Sequence, residues 1–142
     1  MEKQNKKDEG FTLVEMMAVL MIIGLLMSVV IFAIAGNTDE ARMNKAKADI
    51  RNYETALEMF YIDLGDYPPE EYGLEALVEL PAGLDTDKFR DGGYIKKIEQ
   101  DPWGNDYIYI KPGEDGRKFE IISYGRDGQP GGEDIDADIT SY

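Results

Sequence analysis

Asp127, Glu133, Asp134, Asp136 and Asp138 follow Arg126 in close succession and are threaded with Gly125, Gly128, Gly131 and Gly132. Carboxylates this dense repel one another, and such a stretch can stay a solvated, disordered tail. The same residues offer hard oxygen ligands. Calcium takes about six to eight oxygens at ~2.3–2.6 Å, and glycines let a backbone fold closely enough to add carbonyls to the carboxylates. Magnesium, with its octahedral demand and retained waters, suits the stretch less. The spacing fails the EF-hand pattern, because Gln129 and Gly131 stand where acids would be wanted, and it gives one imperfect copy of a calcium-binding β-helix repeat. On the residues alone, tail and cation loop both stay open.

A second ionisable group stands where charge is costly. Residues 11–36 form an apolar run whose one ionisable side chain is Glu15. A carboxylate costs roughly 2.5–3.5 kcal/mol at the centre of a membrane helix and less near its end. Glu15 can mark the start of the helix, where the macrodipole favours negative charge. It can also await a cation: a cut after Gly10 would free the amine of Phe11, which a neighbouring subunit could bring to Glu15.

The elements that carry these groups follow from hydropathy. At about 1.5 Å rise per residue, residues 16–35 reach about 30 Å, the thickness of a bilayer's hydrocarbon core. A polar leader, residues 1–10, precedes the run, reversing the order of a secretory signal. Its Lys3, Lys6 and Lys7 favour the cytoplasmic side, which puts the C-terminus outside. Residues 37–142 are then one exported head.

Composition narrows the function classes. With 142 residues and a net charge of -14, the chain holds one modest domain beside the apolar run, and it lacks the clustered Lys and Arg that phosphate backbones require. Nucleic acid is not expected as a partner. Histidine and cysteine are both absent, which removes the usual general base, thiol nucleophile, zinc ligands and disulfides. No glycine-rich stretch ends in Lys-Ser or Lys-Thr, so no nucleotide loop is carried. The composition argues against an enzyme.

Met43, Ala46, Ile50, Tyr53, Leu57 and Phe60 recur at helical spacing, which predicts that the helix continues to about residue 64 with one face in a core. Gly36-Asn37 can bend it, and Thr38-Asp39-Glu40 can cap a fresh start. Glu40, Arg42, Lys45, Lys47, Asp49, Arg51, Glu54 and Glu58 read as solvated surface. A turn at residues 64–69, a short helix over about residues 70–80 stopped by Pro81, and a loop over 82–93 follow. Residues 107–110 and 119–124 read as a β-hairpin across a polar turn. Trp103 reads as a ring covering the core edge. The fold class is α+β, a long N-terminal helix packed on a small antiparallel sheet.

Gly10-Phe11-Thr12-Leu13-Val14-Glu15 resembles the processing motif of type IV pilins and type II secretion pseudopilins. That resemblance implies cleavage between Gly10 and Phe11 by a prepilin peptidase, N-methylation of Phe11, and assembly guided by Glu15. Tyr67-Pro68, residues 72–77 (YGLEAL), 101–105 (DPWGN), 123–132 (SYGRDGQPGG) and 137–139 (ADI) are similar to the major pseudopilin family of type II secretion. The family implies a helical homo-oligomeric pseudopilus in the periplasm, rooted in the inner membrane, that drives export of folded proteins across the outer membrane. Its implied partners are minor pseudopilins, the prepilin peptidase, and an assembly platform with its ATPase. It also implies a calcium ion in the C-terminal loop, with Asp127, Asp134, Asp136, Asp138 and the Tyr124 carbonyl as candidate ligands. The alternative is a type IV pilin for adhesion, motility or DNA uptake.

Overall fold

The computed structural model describes residues 10–84 and 87–142, with residues 29–37 described by backbone alone. The chain divides into two compact units, Met1–Thr38 and Asp39–Tyr142. The expected leader, apart from Gly10, lies outside the described residues.

Helix α1 runs from Leu13 to Leu64. It is helical without a break through Gly36 and Asn37, so no fresh helix start occurs at Thr38. The reason is local: a single Gly costs a helix interior only about 1 kcal/mol, and good helix formers lie within a turn on either side, Ala33 and Ala35 before it and Glu40, Ala41 and Arg42 after it. In the first unit, large apolar side chains from Phe11 to Met27 are 46–84 % exposed. Among the described residues no helix is long and apolar enough to cross a membrane; the expected span, residues 11–36, includes residues 29–36, whose side chains are outside the description.

In the second unit the helical periodicity is realised. Ala46, Ile50, Tyr53, Leu57 and Phe60 are all buried, and Met43 packs beside them. This stripe forms one core with Tyr67, Leu74, Leu77, Tyr107, Tyr109, Phe119, Ile121 and Ile139. Two residues read as solvated surface also bond its phenols from the rim: half-buried Asp49 accepts the Tyr107 hydroxyl at 3.0 Å and exposed Glu58 accepts that of Tyr67 at 2.7 Å. Buried phenols need acceptors, and a helix acid beside the stripe is the nearest supply.

The short helix is of 3-10 type and spans Glu70–Leu77, ending before Pro81 and broken at Gly73 (φ 59°). β1 (Ile108–Ile110) and β2 (Glu120–Ser123) form the expected antiparallel hairpin, with Ile108 opposite Ile122 and Ile110 opposite Glu120. A third strand, β3 (Ile139–Thr140), pairs antiparallel with β2 and completes a sheet in the order β1-β2-β3. Sequence reading missed β3, because two residues carry no alternation signal. Its Ile139 is buried, so the chain beyond the acidic stretch is tied to the sheet and the disordered-tail reading is set aside. Trp103 packs on the core as expected, with its indole Nε1 buried and without a hydrogen-bond partner.

Candidate functional sites at the two ends of the chain

At the N-terminal junction, Gly10 and Phe11 are exposed and precede the first turn of α1. The Thr12 amide donates to Glu15 Oε2 at 2.8 Å, and the Glu15 amide donates to Thr12 Oγ1 at 3.2 Å. This reciprocal pair is a capping box, which satisfies two of the otherwise unpaired amides of a helix start. Glu15 therefore has a local role that the sequence reading did not contain, although its Thr-x-x-Glu signal stood in the chain. The junction is thus a helix start of fixed position with an exposed peptide bond immediately before it.

The C-terminal loop is built on a buried carboxylate. Asp101 Oδ1 accepts the amides of Trp103 at 3.0 Å and Asn105 at 2.8 Å, and Oδ2 accepts the Ser123 hydroxyl at 2.7 Å. Asn105 then donates Nδ2 to the Gly125 carbonyl at 3.0 Å. The turn at residues 101–105 is thereby fastened to the point where the chain leaves β2 and enters the acidic loop. Gly128 sits against Asn105: a Cβ there would lie 2.9 Å from the Asn105 Oδ1, at a φ of 65°. Asp101, Asn105 and Ser123 were not singled out from sequence for this role; the acid-turn-amide pattern of Asp101-Pro102-Trp103-Gly104-Asn105 was the available signal.

Within the loop the candidate ligands lie in one short segment but are turned to separate duties. Asp127 Oδ1 accepts the Gln129 amide at 3.1 Å, and Asp138 Oδ2 accepts the Gly131 amide at 2.9 Å. Asp134 opens a 3-10 turn, Asp134–Asp136, with φ 56°. Asp136 is paired with Arg126, Nε to Oδ1 at 2.8 Å and a terminal nitrogen to Oδ2 at 2.9 Å. That carboxylate holds the Arg126 guanidinium above its ordinary range, hydrogen bonding being the larger cause. Gly132 permits the fold: a Cβ there would sit 2.4 Å from the Asp136 carbonyl, with φ at 89°. The donors are all oxygen, which is the chemistry a hard cation requires. Among the described residues no three His, Cys, Asp or Glu side chains form a group that could hold a metal ion.

Family models match both parts of the chain. Residues 5–31 match the model of the prokaryotic N-terminal methylation motif, and residues 33–142 match that of the type II secretion system (T2SS), protein G. The chain is 44 % identical over 140 residues to type II secretion system core protein G of Vibrio cholerae, covering 99 % of this chain and 95 % of that one. It is 42 % identical over 140 residues to the protein of the same name from Pseudomonas aeruginosa, covering 98 % of each. The crystal structure of the major pseudopilin from the type 2 secretion system of enterohaemorrhagic Escherichia coli superimposes with a TM-score of 0.64 at 38 % identity, covering 75 % of this chain and 91 % of that chain. A likeness at this level of identity over nearly the whole chain, with the family model matched over residues 33–142, is more than a shared fold: the chain belongs to the protein G family of the type II secretion system.

Proposed function

We propose that the chain is the major pseudopilin subunit of a type II secretion system. Its leader is removed between Gly10 and Phe11, Phe11 is methylated, and the subunit waits in the inner membrane with residues 11–36 as a single span and the head in the periplasm. A platform protein and its ATPase then lift it into a pseudopilus with minor pseudopilins. In the filament the apolar helices pack on each other instead of on lipid, and Glu15 meets the Phe11 amine of an adjacent copy. The head acts as a structural subunit, not as an enzyme.

The observation that carries this reading is the state of the first unit: an apolar helix exposed along its length from Phe11 to Met27, beginning just after the Gly10–Phe11 bond. An exposed apolar surface of that extent marks a membrane or protein contact. Deleting the gene for this chain is expected to trap folded secreted proteins in the periplasm, with motility intact. Intact secretion with lost motility would instead favour a type IV pilus. A mass spectrum of protein made beside an active prepilin peptidase should show a methylated Phe11 terminus; an intact leader there would refute the processing step.

The reading includes a calcium ion in the loop, supported by the all-oxygen donor set and the glycines around it. Asp127, Asp134, Asp136 and Asp138 with the Tyr124 carbonyl are the candidate ligands, and the cation would supply the positive charge that draws these acids together. A melt of the full chain in non-ionic detergent should rise with calcium, by about 2.7 kcal/mol at a hundred times the dissociation constant. Asp127→Ala should abolish that rise, and identical melts in calcium and chelator would remove the metal from the proposal.

A further inference from the structure

The run Phe119-Glu120-Ile121-Ile122-Ser123-Tyr124 is rich in β-branched and aromatic side chains, carries a single charge and contains neither proline nor glycine. That composition favours pairing between chains wherever its edge is bare. One edge of β2 is covered by β1, opposite Glu120, Ile121 and Ile122. On the other edge β3 reaches only Ile122 and Ser123, and it ends at Thr140. Phe119 to Ile121 are closed there by other means. The Ser141 amide donates to the Ile121 carbonyl at 3.0 Å, but the Ile121 amide donates to Ser141 Oγ at 3.1 Å, where a continued strand would offer a backbone carbonyl. The Tyr142 hydroxyl donates to the Phe119 carbonyl at 2.6 Å. Two side-chain oxygens thus stand in for the backbone of a longer strand.

Tyr142 is held by its tip and its face, not by burial. It is 59 % exposed, the Arg117 guanidinium carbon lies 4.2 Å from its ring centroid, and the residue borders two open depressions beside α1. Contacts of this kind at an exposed site are individually weak, so the cover can lift without disturbing the core.

We propose that Ser141 and Tyr142 are an edge guard, which keeps β2 shut against edge-to-edge pairing with the same run, residues 119–124, of a second copy. The choice of a second copy rests on the proposed assembly, which brings many heads side by side and so raises the local concentration of their edges. The guard itself does not rest on it. A two-residue strand stripped of its extension has little to hold it, so loss of the guard also loosens β3 and bares the edge as far as Ser123.

The test uses the full chain in non-ionic detergent and, as the added strand, a fluorescently labelled synthetic peptide with the sequence of residues 118–124, KFEIISY. Ser141→Ala removes the oxygen that takes the Ile121 amide. Tyr142→Phe removes the phenol bond and keeps a ring beneath Arg117, and a third variant combines the two changes. Hydrogen exchange at the Ile121 amide should quicken about fivefold in Ser141→Ala, as for loss of one hydrogen bond, and further in the combined variant. The amides of Ile50 and Leu57 in α1 should exchange as in wild type, showing that the head is folded. Unchanged Ile121 exchange in the combined variant would mean that backbone groups take over from the side chains, and would overturn the guard. By fluorescence anisotropy against empty micelles, the peptide should bind the combined variant about tenfold or more tightly than wild type. Equal binding to both would overturn the exclusion of a second copy's strand. If fast exchange at Ile50 and Leu57 shows that the combined variant does not fold, Tyr142→Phe decides: it should quicken Ile121 about twofold, and a wild-type rate would overturn the guard. Neither arm requires a pseudopilus to form, so failure here is distinct from failure of the assembly reading.

Discussion

Asp101 and Ser123 meet inside the head, the Ser123 hydroxyl donating to Asp101 Oδ2 at 2.7 Å with both residues buried. The other carboxylate oxygen closes the turn at Trp103 and Asn105, so one acid joins a surface turn to the central strand. Among the described residues its hydrogen-bond partners are these amides and this hydroxyl. Three donors on one side chain satisfy its buried oxygens as long as each stays in place.

Removing that acid should therefore cost more than a surface change. Asp101→Ala strands two amides and a hydroxyl, each worth about 1–3 kcal/mol when left buried without a partner, and a total loss of about 3 kcal/mol or more is expected in denaturant unfolding. Asp101→Asn keeps one acceptor oxygen and should lose less than half as much. Equal costs for the two variants would mean that the charge, not the hydrogen bonding, is what matters.

The course of α1 was legible because its signal is long: the buried positions 46, 50, 53, 57 and 60 repeat at helical spacing, and an error at one position leaves the pattern intact. The β1-β2 hairpin was legible for the same reason, as two runs of β-branched and aromatic residues around a polar turn. β3 and the Asp101 network were not. A strand of two residues exists because β2 offers it a partner, and Asp101 is buried because the turn folds over it. Neither fact has a periodicity. In the acidic loop the residue types pointed to oxygen ligands, while the pairing of Arg126 with Asp136 depends on the turn of the loop and has no sequence signal of its own.

Alkaline pH should unfold the head through its tyrosines. Burial, followed by the Asp63 carboxylate, pushes the Tyr94 phenol up to about 12. Burial also raises Tyr109, and burial with the Asp49 hydrogen bond raises Tyr107. A folded-state value above the unfolded one of about 10 means stability that is whole below pH ~10 and lost as pH rises through the folded value. The expected slope is about 1.4 kcal/mol per pH unit for each such tyrosine, and Tyr94→Phe should lower it by up to one proton between about pH 10 and 12. A stability curve flat across that window would show that these phenols ionise in the fold as freely as in the unfolded chain.

Gly132 tests whether the loop needs its present path. Its φ of 89° and the 2.4 Å approach of a Cβ to the Asp136 carbonyl leave no space for a side chain, and the obstacle is backbone. Gly132→Ala should cost about 1–3 kcal/mol through strain and loosen the Arg126–Asp136 pair, seen as faster exchange of the residue 126 amide. Gly131→Ala meets open space but shares the left-handed backbone, with φ at 95°. It should pay only the conformational part, so the gap between the two variants isolates the clash.

Glu15 caps the start of α1, and one substitution divides that duty from the proposed pairing in the filament. The capping box uses the side chain as an acceptor for the Thr12 amide, and glutamine can fill that place because the motif accepts Glu or Gln. The proposed pairing with the Phe11 amine of a neighbouring subunit would use the charge, which glutamine lacks. Glu15→Gln should therefore leave the helix content of the detergent-solubilised chain unchanged by circular dichroism and leave the leader cleavage intact, while pseudopilus assembly in overproducing cells falls sharply. If Glu15→Gln assembles like wild type while Glu15→Ala fails to start the helix, capping is the whole of the residue's task and the ionic pairing is discarded. If both assemble poorly with normal helix content, the charge is what the filament needs, because the loss then follows the ionisable group and not the hydrogen bond.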